Sequence, residues 1–240
     1  MDPHSLVLAL AQRLAADGGR IERAAVTRLE VAGNSVQALH AGGSRRVFDY
    51  IVLAAGADAA PLARQLGARV PLTRERGYHL MLRASALDLG LPVTFAERGF
   101  IATPMRAGIR LAGTVELGAG AVPDWRRADI LFRHAGRLFG RSSLTGAGRW
   151  YGDRPTLPDY LPMIGPAPRA GNAILALGHQ HVGLTPGRGD GRAGRGADRW
   201  TADRRFAAAV PDRSFREDLT SDEDRLRQQM LCREPVALGQ

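Results

Sequence analysis

The run Tyr50-Ile-Val-Leu-Ala-Ala-Gly56 is apolar at every position up to its closing glycine. A strand with one wet face alternates apolar and polar residues, and this one does not. It demands cover on both faces, which is the environment of a parallel strand in an α/β sheet. The small residues Ala54, Ala55 and Gly56 at its end let another group come close to the backbone. Residues 58–67, DAAPLARQLG, then read as a short helix.

The flanking segments carry other periods. Residues 5–17, SLVLALAQRLAAD, place Leu6, Val7, Leu10 and Leu14 on one helical face, with Ser5 as candidate N-cap and Asp17-Gly18-Gly19 as the stop. AAVTRLEV (24–31), SVQALHA (35–41) and RRVFDY (45–50), separated by Gly33-Asn34 and Gly42-Gly43, predict an antiparallel meander. Residues 99–117 read as a hairpin turning at Gly108, with Ile101 and Met105 on one strand and Ile109, Leu111 and Val115 on the other. Residues 129–140 predict an amphipathic helix through Ile130, Leu131, His134 and Leu138, in which His134 is an ordinary helix residue.

The chain changes character near Gly187. Residues 187–240 hold 21 charged residues in 54, against 36 in the preceding 186, and show no apolar period. Such a composition buries too little surface to offset chain entropy, so residues 188–240 are expected to be poorly ordered, apart from a short helix near 222–231. Gly189, Gly191 and Gly194 have the spacing of a dinucleotide-binding turn, but a proline precedes them and an arginine-rich run follows, where that motif needs a strand and an apolar helix. Glycine-rich coil is the expected reading.

A net charge of +9 invites a nucleic-acid partner. All 33 basic residues are arginine, however, which points to codon bias in a GC-rich gene, and they are scattered through the body. No nucleic-acid partner is therefore expected. Cys232 stands alone, so no disulfide framework and no cysteine metal site are expected. No run reaches the length of a membrane span and no signal peptide is evident, so a cytoplasmic protein is expected.

Arg154 lies in YGDRPTLPDYLPMIGP (151–166), where Pro155, Pro158 and Pro162 follow within eight residues. These prolines predict a stiff loop rather than a regular element. A planar guanidinium held there suits a carboxylate, because it donates two parallel hydrogen bonds and stays charged. A surface arginine beside a proline turn is the alternative. GHQHVGLT (178–185) is a glycine-flanked loop; His179 and His181 lack an obvious third ligand, so no metal is expected.

Taken together, DPHSLVLALA, IVLAAG, RGYH (76–79), the GT-x-E ending at 113–116, WYGDRPTLPDYLPMIGPAP (150–168) and NAILALGHQHVGLT (172–185) resemble the FAD-dependent amino-acid oxidoreductases of the D-amino-acid oxidase and glycine oxidase class. The resemblance spans residues 1–187 and is nearest to the D-amino-acid dehydrogenases. It implies an α/β fold: a partial FAD-binding Rossmann-like domain with a small β-meander (1–73), a substrate domain built on a mixed or antiparallel β-sheet (74–148), and a return to the FAD-binding domain (149–187), ahead of the tail at 188–240. It implies FAD as cofactor, with Val26 near adenine and Ala54, Ala55 and Gly56 beside ribose and phosphates. Gly178, His179, His181, Val182, Gly183, Leu184 and Thr185 would run under the flavin ring. It implies that Arg154 binds the substrate α-carboxylate and that Tyr78 and His79 line the pocket.

The implied reaction is oxidative deamination of a D-amino acid by hydride transfer from Cα to flavin N5, with no side-chain base required. The implied partners are the amino acid and an electron acceptor, a quinone or the respiratory chain, which adds peripheral association with the inner membrane as a second expected location. The family's opening βαβ unit with its glycine-rich phosphate turn is not found in residues 1–187. The chain is therefore expected to be a C-terminal portion of such an enzyme, inactive alone; the alternative is a non-catalytic truncated remnant without cofactor. Read one nucleotide later, the codons of residues 189–198 permit an apolar helix of the family's kind, so a one-base frame change near codons 186–189 is also expected.

Overall fold

The computed structural model describes residues 2–83, 88–140, 144, 148–185 and 206–209. The glycine triplet at 189–194, the helix expected at 222–231 and the segment of the proposed frame change lie outside the described residues. The chain divides into two units, Met1–Arg23 with Phe215–Gln240, and Ala24–Ser214.

In the first unit, helix α1 spans Pro3–Ala16. Its N-cap is Asp2, not Ser5: Asp2 Oδ1 accepts from the amides of His4 at 3.0 Å and Ser5 at 3.5 Å. Pro3 occupies the first turn, where its missing N–H costs nothing, and this moves the start of the helix upstream.

In the second unit, β1 (Val26–Ala32), β2 (Ser35–Ala41) and β3 (Ser44–Arg46) form the antiparallel meander that the sequence predicts. Strand β4 (Tyr50–Leu53) follows, then a tight turn at Gly56–Asp58 and helix α2 (Ala60–Gln65). The next strands are β5 (Thr73–Leu82), β6 (Val93–Phe95), β7 (Phe100–Met105) and β8 (Gly108–Leu117). Helix α3 covers Arg126–Phe139. The last elements are β9 (Gly148–Thr156), β10 (Met163–Ala167), β11 (Ala170–Leu177) and β12 (Phe206–Ala209).

Strand β4 has parallel neighbours on both sides, in a four-stranded mixed sheet of order β10-β11-β4-β12. Ile51 and Leu53, on one face, are 2% and 1% exposed, while on the other face Tyr50 is buried and Val52 half-buried, so both faces are covered. Strand β12 falls inside the stretch expected to lack order. A strand needs backbone partners rather than an apolar period, and the backbone of Phe206–Ala209 pairs with Tyr50–Leu53 of β4.

The other large sheet runs β6-β7-β8-β5-β9 and is antiparallel throughout. Helix α3 covers one of its faces, where Ala128, Leu131 and Ala135 pack with Tyr78, Leu80, Leu82 and Leu111. Arg154 is not in a loop, contrary to the expectation from its prolines. It sits in β9 with Pro155, paired to β5. An edge strand has a free side on which a proline's missing N–H is harmless, and the chain leaves the sheet only after Thr156. Among the described residues no helix is long and apolar enough to cross a membrane.

Candidate functional site

Parallel pairing puts Leu53 of β4 opposite Leu175 of β11. The two strands end on the same side of the sheet, so residues 54–56 and 178–185 leave it together. In open α/β sheets that carboxyl edge is where ligands bind. Ala55 is buried, and Gly56 and Gly178 have φ of 53° and 77°, a region that favours glycine. A side chain on Gly178 would also run into Leu157, and one on Gly183 would start 2.9 Å from His179 Cβ. Val26 packs on the cluster that contains Ala55 and Leu177. Beyond His179 and Gln180 the segment opens to solvent: His181, Val182, Leu184 and Thr185 are exposed and Gly183 is half-buried. The amides of Gln180, Val182 and Thr185 are used within the fold.

The second group stands on the five-stranded sheet. Glu75 pairs with Arg154, Gly77 with Gly152, and His79 with Trp150, so these side chains share one face. The Arg154 guanidinium lies across Gly77. Trp150 lies over Gly152 and stacks on His79, with ring centres 4.7 Å apart and planes 19° apart. Arg110 of β8 is opposite Met81, two residues beyond His79, and therefore projects from the same face. Burial, with the nearby Arg110 charge, pushes the His79 imidazole down to about 4, so it is neutral at pH 7. Burial and the Arg154 charge lower Arg110 from its ordinary value, and its buried Nε has no hydrogen-bond partner.

Tyr78 belongs to the opposite face, because neighbours on a strand point to opposite sides. It is 1% exposed in the core against α3. Its hydroxyl donates to Glu116 Oε2 at 2.5 Å and accepts from the Asp124 amide at 2.7 Å. Burial raises its pKa, and the Glu116 carboxylate adds to that. The structure thus separates the expected pair: His79 joins Arg154, and Tyr78 does not line the same pocket.

Two devices tie the sheets together. The Gln180 amide donates to the Pro155 carbonyl at 3.1 Å, which brings the 178–185 segment against the residue next to Arg154. Arg74 bonds Asp58, in the turn after β4, and reaches Asp153 Oδ2 at 2.9 Å. Asp153 also receives Arg76 Nε at 2.7 Å, and Arg76 is only 2% exposed. Burial would raise the Asp153 pKa, but its bonds from Arg76 and Arg74 outweigh that and hold it below the usual carboxylate range. The bond to Asp153, against the effect of burial, holds Arg76 charged.

Sequence reasoning missed Arg74, Arg76, Arg110, Asp153 and Gln180. The alternation of Arg74 and Arg76 on a strand was a usable signal. Arg110 carried only a faint one, a charge within Ile-Arg-Leu, because its face depends on register with β5.

Three comparisons bear on this arrangement. A family model described as FAD dependent oxidoreductase (DAO) matches residues 1–193. A D-amino-acid oxidase of Bradyrhizobium diazoefficiens is 35% identical over 199 residues, 81% of this chain and 47% of the relative. A D-amino acid dehydrogenase of Paramagnetospirillum magneticum is 32% identical over 198 residues, 80% of this chain and 46% of the relative. The chain thus spans about half the length of these curated relatives. The crystal structure of glycine oxidase from Geobacillus kaustophilus superposes with a TM-score of 0.67 at 25% identity, covering 82% of this chain and 54% of that one.

Proposed function

Because this chain belongs to the DAO family of FAD-dependent oxidoreductases, we propose that it serves the oxidative deamination of a D-amino acid, with Arg154 as the anchor for the substrate α-carboxylate. The observation that carries this reading is the position of Arg154. Its guanidinium has no ion-pair partner among the described residues, it is laid over Gly77, and the Gln180–Pro155 hydrogen bond joins its strand to the 178–185 segment.

The residues at the sheet edge fit FAD. Gly56 and Gly178 adopt the positive φ that turns the two strand ends at this edge, so residues 54–56 and 178–185 leave the sheet side by side. The amides of His181, Gly183 and Leu184 and the buried Gln180 Nε2 are donors without partners among the described residues, as an electron-rich heterocycle or phosphate requires. Val26, Ala54, Ala55 and Gly56 would hold the nucleotide part, and Gly178, His179, His181, Val182, Gly183, Leu184 and Thr185 the ring. Bound FAD would supply the redox chemistry, a two-electron oxidation of the substrate at Cα by hydride transfer, and the imino acid product would hydrolyse in water to a 2-oxo acid and ammonia.

The protein's task is orientation. Two parallel hydrogen bonds from Arg154 fix the carboxylate plane and so the direction of the Cα–H bond. His79, neutral and stacked on Trp150, forms a wall of the same face and adds no charge to it. No side-chain base is needed if the substrate binds with a neutral amine. The D-configuration rests on the names of the two relatives, and a quinone or the respiratory chain is the acceptor that a dehydrogenase of this kind would use.

The test is a titration of the full chain with FAD, followed by quenching of flavin fluorescence, and then with acetate, followed by the perturbation of the flavin spectrum. Saturable FAD binding and an acetate response that Arg154→Met abolishes are expected. FAD binding with an acetate response unchanged in Arg154→Met would refute the anchor, and no FAD binding would refute the assignment of the holding residues.

A further inference from the structure

The face that carries Arg154 holds more positive charge than one carboxylate can balance. Arg110 and Arg154 stand on the same side of the sheet, close enough for the charge of one to disfavour the charge of the other. Neither has an ion-pair partner among the described residues. Glu75 is the carboxylate nearest in register, directly across from Arg154, yet no ion pair joins them. His79 lies between the two arginines along β5 and is neutral, so it adds no negative charge.

Folding brings guanidinium groups together, partly out of water and without counter-charge, only at a cost. Elsewhere this protein avoids it: Arg74 and Arg76 share Asp153, and Arg28 and Arg45 share Glu30. The Arg110–Arg154 pair is the exception among the described arginines that face one another across this sheet. Arg110 also keeps a buried Nε with nothing to donate to, and a buried donor without a partner is costly unless a ligand supplies the acceptor. A simple α-amino acid bound by Arg154 would bring one carboxylate and leave Arg110 as it is.

We propose that Arg110 is a specificity-determining residue which, with Arg154, selects a dicarboxylic substrate: an amino acid whose second carboxylate is received by Arg110 Nε and its guanidinium. This rests on the reading of Arg154 as the α-carboxylate anchor and deepens it by naming the substrate class. The two carboxylates neutralise the pair together, and the second acceptor satisfies the buried Nε. His79 and Met81, on the strand between, form the floor under the carbon chain that links the two acid groups. Preference for such a substrate is a difference of affinities, set by what Arg110 loses when the second carboxylate is missing.

The test uses the full chain and two inert probes of equal length, succinate and butyrate, titrated by calorimetry at constant ionic strength. Succinate is expected to bind at least tenfold more tightly. In Arg110→Met the ratio of the two affinities is expected to fall to near one, and in Arg110→Lys, which keeps the charge but loses the fork, to an intermediate value. Circular dichroism checks that each variant is folded, and the lysine variant keeps the question open to decision if the methionine variant is not. Equal affinities in the native chain, a ratio unchanged in a folded Arg110 variant, or tighter binding of inorganic pyrophosphate than of succinate would each overturn the inference while leaving the Arg154 anchor standing. Failure of both probes to bind would overturn the anchor and this inference together.

Discussion

A Cβ built on Gly77 would stand 2.5 Å from Arg154 Nη2, so the guanidinium occupies the space that a side chain at position 77 would take. The two residues sit on neighbouring strands, with Gly77 paired to Gly152 and Arg154 one step further along the same face. The absence of a side chain at Gly77 is what lets the guanidinium lie flat on the sheet.

Gly77→Ala is therefore a perturbation of Arg154 from a distance. Gly77 has no positive φ, and the clash is with the far end of a flexible side chain, so the fold should absorb the methyl group, with stability changed by about 1 kcal/mol or less. The guanidinium must lift away. Acetate affinity, measured by calorimetry, is expected to fall about tenfold, or about 1.4 kcal/mol. An unchanged affinity would separate Arg154 from the carboxylate.

Asp153→Asn tests the network behind the site. Arg76 is 2% exposed and would lose its counter-charge, keeping the Gly120 carbonyl at 2.7 Å, the Tyr151 ring and a neutral amide oxygen in place of the carboxylate. Breaking a buried pair from one side costs about 3–5 kcal/mol. Urea denaturation should show a loss of that order, larger than for Arg13, whose exposed pair with Asp17 can be broken at little cost.

Stability should fall with acid in two windows. His79 is neutral in the fold down to about 4, while an unfolded imidazole takes a proton near 6.5. The unfolded chain therefore binds the extra proton between those values, and stability drops as pH falls from 6.5 to 4, by up to about 3 kcal/mol. Asp153, held below the usual carboxylate range, adds its contribution above the ordinary value of 3.8 and loses it as pH falls further. Urea denaturation at pH 7, 5.5 and 4.5 should show the first slope, and His79→Gln should flatten it. An equal slope in the variant would assign it to other groups.

Tyr78→Phe separates the two faces of the sheet. Removing the hydroxyl leaves the Asp124 amide and the Glu116 carboxylate without this partner, at a cost of about 1–2 kcal/mol. Acetate and succinate binding should not change, because Tyr78 faces α3. A loss of binding in the folded variant would place Tyr78 back in the pocket.

Much of the local structure was legible in the residues. The meander followed from its glycine turns, the hairpin from Gly108, and the covered strand from the unbroken run Tyr50–Leu53. The boundaries were less so: a proline at the first turn of α1 shifted the cap to Asp2, and the prolines after Arg154 hid a strand that tolerates Pro155 because it is an edge. The α3 core face runs through Ala128, Leu131 and Ala135, whereas Leu138 stays exposed, since small residues allow the helix to approach the sheet.

By itself the sequence determined residue chemistry and period: which runs must be covered, where glycine must turn the chain, and that a fork-shaped cation and a glycine-flanked loop are present. Only the tertiary structure decided which side chains share a face. Strand pairing has a period of two, so a one-residue slip of β8 would move Arg110 to the core, and one of β5 would move Tyr78 to the site. Register is set by contacts between strands far apart in the chain, β5 with β8 and β9, and no local pattern encodes it.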